Sequence, residues 1–522
     1  GQAVDLGQLQ NVIAEEVLHG YDVLPSAIHL TASTLAMRSP DTAFKKMNLF
    51  SLPLGGTSHR LGSIEFLSGK GIPLQLDLFG STDQITGANT KQHFMTPLPD
   101  LNLCVMNPPF VRSVGGNLLF GSVPDSERRP MQKKLHKVIQ DSGIPANSTA
   151  GLGSVFIAAA HQYIKPGGRM ALILPKALLS GVAWGKSRQL INQHYRVEMI
   201  VVTHDAQHWN FSDSTDLSEA MIYAVKNDVN QESDPEAFVT AINLWRTPKT
   251  SFEATALVHT IINADLPEIQ TGQGALELIL DGEKVGEVVK EKWGRVKSNW
   301  FLPVSFAQSD LIRCVSRLLD GEVWLPGKGK IGSVILTPLG KLGTLGPDRR
   351  DIHDGFSLSK AETIYPAFWN HDSQHALSMT QSPNMYLSPH SAPKKGRPLR
   401  QANQLWNLAG QVIIAERLWL VTQRLIASRI SEKVLSNTWW SFSFGTRPDV
   451  EMLEKALVLY LNSSLGLLTT ISNRVETRGA WIQLKKPIWA ATPVIDLNTL
   501  TQSQLEYMAN VYDLVADQVL QP

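Results

Sequence analysis

At 522 residues, 43% of them hydrophobic, the chain is long enough to build two or three cores, which excludes a single small module and a disordered polypeptide. A formal net charge of +1 excludes a polyelectrolyte, so any nucleic-acid surface must be local. Two cysteines, Cys104 and Cys314, give no disulfide framework and suit a reducing compartment. With no leader pattern and no apolar run long enough for a bilayer, a cytoplasmic protein without a membrane partner is expected.

Apolar residues from Val4 to Leu18 fall at helical spacing, and that helix ends at Gly20. "YDVLP" reads as a short buried strand closed by a proline turn, and "AIHLTASTLAMRS" as a second amphipathic helix. "LNLCVMNPPF" is a strand running into a loop. A basic helix is expected over 130–139 in "PDSERRPMQKKLHKVIQDSGI". "VFIAAAHQYIKPGGRMALILPKALL" gives helix, Gly-containing turn and apolar strand; "VEMIVVTHD" and "AMIYAVK" supply two more strands. Strands alternating with helices predict an α/β domain with a largely parallel sheet over 1–245. Residues 246–297 read as a connecting region. From 298 to 522, short strand-like runs separated by Gly, Pro, Ser and Asn, with long helices at "PDVEMLEKALVLYLNSS" and the C-terminus, predict a mixed α+β domain.

The chemistry concentrates after the strand at Leu103. In an open parallel sheet, ligands sit at the carboxyl ends of the strands, where Asn107 to Phe110 emerge. Two consecutive prolines fix φ and lack an N–H, so they make a stiff corner that neither helix nor sheet can absorb. The Asn107 side chain and the Pro108 carbonyl can then offer two acceptors to an amino group, and Phe110 a face to a planar base. Such a corner holds an amino nitrogen with its lone pair aimed at an electrophile, and positioning of that kind supplies much of catalysis. The plain alternative is a proline-stiffened strand exit with a buried Phe.

"NPPF" after an apolar strand resembles motif IV of the S-adenosylmethionine-dependent amino-methyltransferases that act on adenine in DNA. "HGYDVLPSAIHLTASTL" looks like the family's motif II, whose acidic residue, here Asp22, is expected to bind the ribose hydroxyls of the cofactor. "LGSIEFLSG" is similar to motif III, which places Glu65 at the cofactor adenine, with Asp77 in "LQLDLFG" as the other candidate. "HWNFSDSTDLSEAMIYAV" looks like motif VIII and assigns Phe211 to the second face of an extruded base. Flipping costs a few kcal/mol of unstacking, so aromatic faces at Phe110 and Phe211 have a physical purpose; core packing is the alternative for Phe211.

The resemblance implies Asn107, Pro108, Pro109 and Phe110 at the reacting base, and a Rossmann-like catalytic domain in the gamma arrangement. The family's Gly-rich motif I does not precede Asp22. The catalytic domain is therefore expected to be incomplete at its start, completed by a preceding segment or by another polypeptide. A DNA target recognition domain is implied over 298–522, and restriction or specificity subunits are implied as partners beside double-stranded DNA. Cytosine is disfavoured because that subgroup usually carries Ser in place of Asn107.

Two basic stretches are candidate phosphate contacts: Arg128, Arg129, Lys133 and Lys134 near the corner, and Lys394, Lys395, Arg397 and Arg400 in the second half. A solvated basic face is the alternative for the first, and arginines lying over a tryptophan core for the second. No metal motif is read from the isolated histidines. Two other readings stay open: a non-catalytic DNA-binding module on the same scaffold, and a methyltransferase acting on a protein glutamine amide.

Overall fold

The computed structural model describes residues 5–69, 71–73, 95–96, 98–111, 118–205, 207–212, 217–228, 231–371, 375–419, 425–478 and 481–519. Contacts divide the chain into two compact units that do not follow its order. Unit 1 comprises 1–174, 182–196 and 223–233; unit 2 comprises 175–181, 197–222 and 234–522.

In unit 1, β1 (His19–Asp22) pairs in parallel with β2 (Asn48–Ser51), Asp22 lying opposite Ser51. The expected first helix is shorter and in two parts: α1 (Leu6–Val12) runs into a π-helical turn, Ile13–Val17, closed by Leu18 N–H donating to the Ile13 carbonyl. α2 (Pro25–Met37) starts on a proline, whose missing N–H costs nothing in the first turn. Neither helix buries a residue fully, and β1 is half-buried rather than buried, because a two-stranded sheet covers little of its own surface.

β3 (Leu101–Met106) pairs in parallel with β4 (Ile164–Pro175), Met106 opposite Leu172. β3 forms one edge of the large sheet, and on one of its faces Leu103 and Val105 are 53% and 71% exposed. The basic helix α3 (Asp125–Ser142) begins five residues earlier than expected and carries Pro130 inside it. α4 (Leu152–Tyr163) is apolar nearly all round and correspondingly buried. α5 (Gly185–His194) closes the unit's helical part.

The seven-stranded sheet continues through β5 (Tyr195–Thr203), β6 (Glu219–Lys226), β7 (Phe238–Leu244), β8 (Leu276–Leu280) and β9 (Glu283–Lys292), in the order β8-β9-β7-β5-β6-β4-β3. It is mixed rather than largely parallel: β5 and β7 are parallel, while β9 runs antiparallel to both β7 and β8. The last two strands come from the region expected only to connect domains, which also holds α6 (Ser251–Ile262). They form a hairpin around Asp281 and Gly282, both at positive φ, the pair that a tight hairpin turn demands.

In unit 2, β10 (Gly410–Ala415) pairs antiparallel with β11 (Ala427–Ser436) and β12 (Trp439–Ser443) inside an eight-stranded sheet. α9 (Val450–Leu461) packs on it through Leu453, Leu457 and Leu461, sharing a core with Trp439, Trp440 and Trp489. These tryptophans therefore serve the core, and their indole N–H groups donate to the carbonyls of His371, Leu484 and Ala415. Among the described residues no helix is long and apolar enough to cross a membrane.

Candidate active site

β3 delivers Asn107 to the carboxyl end of the sheet in an exposed position. Pro108 is buried, Pro109 exposed and Phe110 half-buried. Val111 N–H donates to the Pro109 carbonyl at 3.0 Å, closing a three-residue turn with Phe110 at its centre. The corner is therefore fixed from both sides, by proline rings before Phe110 and by a hydrogen bond around it.

A residue that the sequence reading passed over supports this corner from outside. Gly151, directly before α4, has φ +102°, and a Cβ there would overlap the Val111 carbonyl. Glycine there lets the backbone leaving the corner pass close to the start of α4.

Asp22 ends β1, and its Oδ1 accepts from Leu24 N–H at 2.7 Å, closing the turn into α2. The 3-10 helix Gly62–Ser68 starts against it, since Gly62, at φ +62°, leaves no room for a Cβ beside Val23. That helix carries Glu65, which is buried. Its Oε1 accepts from Leu61 N–H at 3.1 Å and pairs with Lys134 Nζ at 2.7 Å; its Oε2 pairs with Arg60 at 3.1 Å. Two residues assigned to different ligands, Glu65 to cofactor and Lys134 to DNA, are thus bonded to each other. Asp77 lies outside the described residues.

α3 divides its bases between two faces. Arg129, Lys133 and Lys137 are exposed at i, i+4 and i+8, one row on a helix, bounded by exposed Asp125 and Asp141. Arg128 pairs with Asp125 at 2.7 Å and Lys134 turns to Glu65, on the side where Met131 and Leu135 are buried. In the second half, beyond α7 (Ser309–Leu319), Arg397 pairs with Asp354 at 3.1 Å and Arg400 with Asp351 at 2.9 Å, both carboxylates on α8 (Arg349–Gly355). Lys394 donates to the His353 carbonyl near the end of the same helix, and Lys395 is exposed.

Phe211 belongs to unit 2 and is half-buried at the margin of a core containing Ile242, Leu244, Leu257 and Ile261. Its N–H and that of Ser212 both donate to Glu219 Oε2, at 2.6 and 2.9 Å. Glu219 is fully buried, and burial raises its carboxyl pKa against the lowering pull of those N–H groups. Sequence reasoning missed it, although an acid opening an otherwise apolar strand was a visible signal.

Unit 2 also buries a charged knot. Lys176 Nζ pairs with Glu476 Oε2 at 2.5 Å, Arg474 grips Glu476 Oε1, and both cations lie over the Phe301 ring. Among the described residues no group of three or more His, Cys, Asp or Glu is gathered for a metal ion.

No family model matches the chain, and comparison with curated proteins finds no match. Among solved structures, the type IIG restriction endonuclease BpuSI is similar at 13% identity and a TM-score of 0.30, over 80% of this chain and 49% of that one. The EcoKI M protein of a type I restriction enzyme is similar at 13% identity and a TM-score of 0.32, over 61% of this chain and 60% of that one. A type I restriction-modification methyltransferase subunit from Streptococcus thermophilus is similar at 15% identity and a TM-score of 0.23, over 34% and 36%. The chain spans about half the length of the BpuSI structure. At such TM-scores these likenesses carry neither fold nor function to this chain, and its function has to be argued from its own residues.

Proposed function

We propose that the chain forms the larger part of a site-specific DNA methyltransferase, acting on the exocyclic amino group of an adenine flipped from the duplex, within a restriction-modification system. The observation that carries this is the fixed corner: an exposed Asn107 at the carboxyl end of β3, a buried Pro108, and Phe110 held in a closed turn. Asn107 and the Pro108 carbonyl accept from the amino group, and Phe110 gives the base one stacking face. Phe211 gives the other. Arg129, Lys133 and Lys137 contact phosphate, and the region 298–522 reads the target sequence, together with any specificity subunit.

S-adenosylmethionine, when bound, supplies the methyl group. Asp22 fits its ribose: a half-buried carboxylate at a strand end, one oxygen already oriented by Leu24 N–H. Glu65 fits the cofactor less well, because Arg60, Lys134 and Leu61 N–H already occupy its oxygens. The engaged Glu65 favours as second reading a DNA-binding module that does not turn over alone.

The test is calorimetric titration with S-adenosylmethionine, then transfer of labelled methyl groups to unmethylated DNA. Asp22→Ala is expected to weaken cofactor binding. Asn107→Ala is expected to cut transfer at least about a hundred-fold while leaving that binding intact, the scale of a misplaced reacting group. Transfer undiminished in Asn107→Ala would sink the proposal. DNA binding without cofactor binding would favour the second reading.

A further inference from the structure

We propose that Glu219 is the positioning residue for Phe211: its buried carboxylate fixes the segment 209–212 and thereby the ring that stacks on the target base. This rests on the reading of Phe211 given above.

Backbone groups on both sides of the segment are held by hydrogen bonds. Glu219 Oε2 accepts from two consecutive N–H groups, those of Phe211 and Ser212, and Glu219 N–H donates to the Trp209 carbonyl at 3.3 Å. Lys176 N–H donates to the Ser218 carbonyl at 2.7 Å and pins the residue before Glu219. At the other end, His204 N–H donates to the Leu244 carbonyl at 2.8 Å, and the Thr203 hydroxyl to the His208 carbonyl at 3.2 Å. Of the described residues, those next to the two strands are held by backbone bonds, and the Glu219 carboxylate ties Phe211 and Ser212.

The choice of a carboxylate is informative. Glu219 is 0% exposed and its Oε1 has no hydrogen-bond partner. Burying an ionised group costs several kcal/mol unless it is compensated, and among the described residues no cation pairs with this one. An apolar side chain would pack there at lower cost but could not accept from the Phe211 turn. Phe211 itself is only half taken up by the core, so core packing does not fix its main chain. The cost is repaid in conformation: two consecutive backbone donors on one oxygen, with the Ser212 side chain also bonded to the carboxylate, hold the turn.

The experiment uses the full chain. Glu219→Leu and Glu219→Met keep the volume and remove the acceptors; Glu219→Gln keeps one. Amide hydrogen exchange is followed over 209–212, and methyl transfer to unmethylated DNA is measured for these variants, Phe211→Ala and the double variant. Exchange at 211 and 212 is expected to quicken at least about tenfold in the apolar variants and to stay within about threefold of the parent in Glu219→Gln. The apolar variants and Phe211→Ala are expected to lower kcat by similar factors, about tenfold or more, with KM for S-adenosylmethionine unchanged and no further loss in the double variant. Unaltered protection in both apolar variants overturns the proposal. Loosened protection alongside full transfer by Phe211→Ala overturns instead the reading on which it rests.

Discussion

Each compact unit contains a buried carboxylate, Glu65 in unit 1 and Glu476 in unit 2, gripped by a lysine on one oxygen and an arginine on the other. In unit 1 Glu65 takes Lys134 on Oε1 and Arg60 on Oε2; in unit 2 Glu476 takes Lys176 on Oε2 and Arg474 on Oε1. The chemistry is the same and the surroundings differ. The side chains of Arg60 and Lys134 are 23% and 33% exposed, whereas those of Lys176 and Arg474 are 2% and 5% exposed. Burial, not the list of charges, decides what each knot contributes: water can take over for a lost partner in the first and cannot in the second.

The largest effect should therefore come from breaking the buried knot. Glu476→Leu would strand Lys176 and Arg474 away from water and should lower unfolding stability by about 3–5 kcal/mol. Glu65→Leu, with partners that reach solvent, should cost only about 1–2 kcal/mol. Urea unfolding of both variants checks the comparison. Equal losses would show that burial is not what separates the two knots.

A smaller effect, through histidine, is common to the two units. Burial, reinforced by Lys226 and His194, holds His161 in unit 1 down to about 3; burial and Lys176, opposed by Glu476 and the bond to Asn243, hold His204 in unit 2 down to about 3. Both folded values lie below the unfolded histidine value of about 6.5, so the unfolded chain takes up protons first. The stability that each neutral ring protects is fully present above about pH 6.5 and is lost as pH falls from there toward 3. Glu476, pushed up by burial but held at about 2 by Arg474 and Lys176, adds a second loss as pH falls from about 4.3 toward 2. Near pH 5, His161→Gln and His204→Gln should each reduce proton uptake on unfolding by about one. Uptake unchanged by either replacement would mean that the ring in question titrates normally.

How much of this was legible in the sequence follows from the range of the interactions. The strand into Asn107, the helix α4 and the proline-stiffened corner are local, set by a few neighbouring side chains, and were read directly. The hairpin at Asp281–Gly282 was also local, but its turn signal was passed over in favour of the region's mixed composition, so β8 and β9 were read as connection. The pairing of Glu65 with Lys134 joins residues 69 positions apart, and that of Arg397 with Asp354 joins residues 43 apart. No periodicity reports such pairs, so bases were counted as free phosphate contacts when their charge was already matched. Gly151 was illegible for a related reason, since it acts on the backbone of Val111, distant in sequence, whereas Glu219 stood in view at the head of an apolar strand and was passed over.

The smallest expected effect returns to unit 1 and separates two neighbouring lysines. Lys133 lies on the exposed row of α3 with Arg129 and Lys137, while Lys134 is spent on Glu65. A lysine that neutralises a phosphate releases condensed counterions, so its removal lowers the slope of log affinity against log salt by about 1. Lys133→Ala should produce that change in duplex DNA binding with little effect on folding. Lys134→Ala should leave the slope alone and lower stability instead, because it releases Glu65. If both substitutions reduce the slope equally, Lys134 leaves Glu65 for DNA, and the exposed knot of unit 1 is a reserve of charge that the buried knot of unit 2 cannot be.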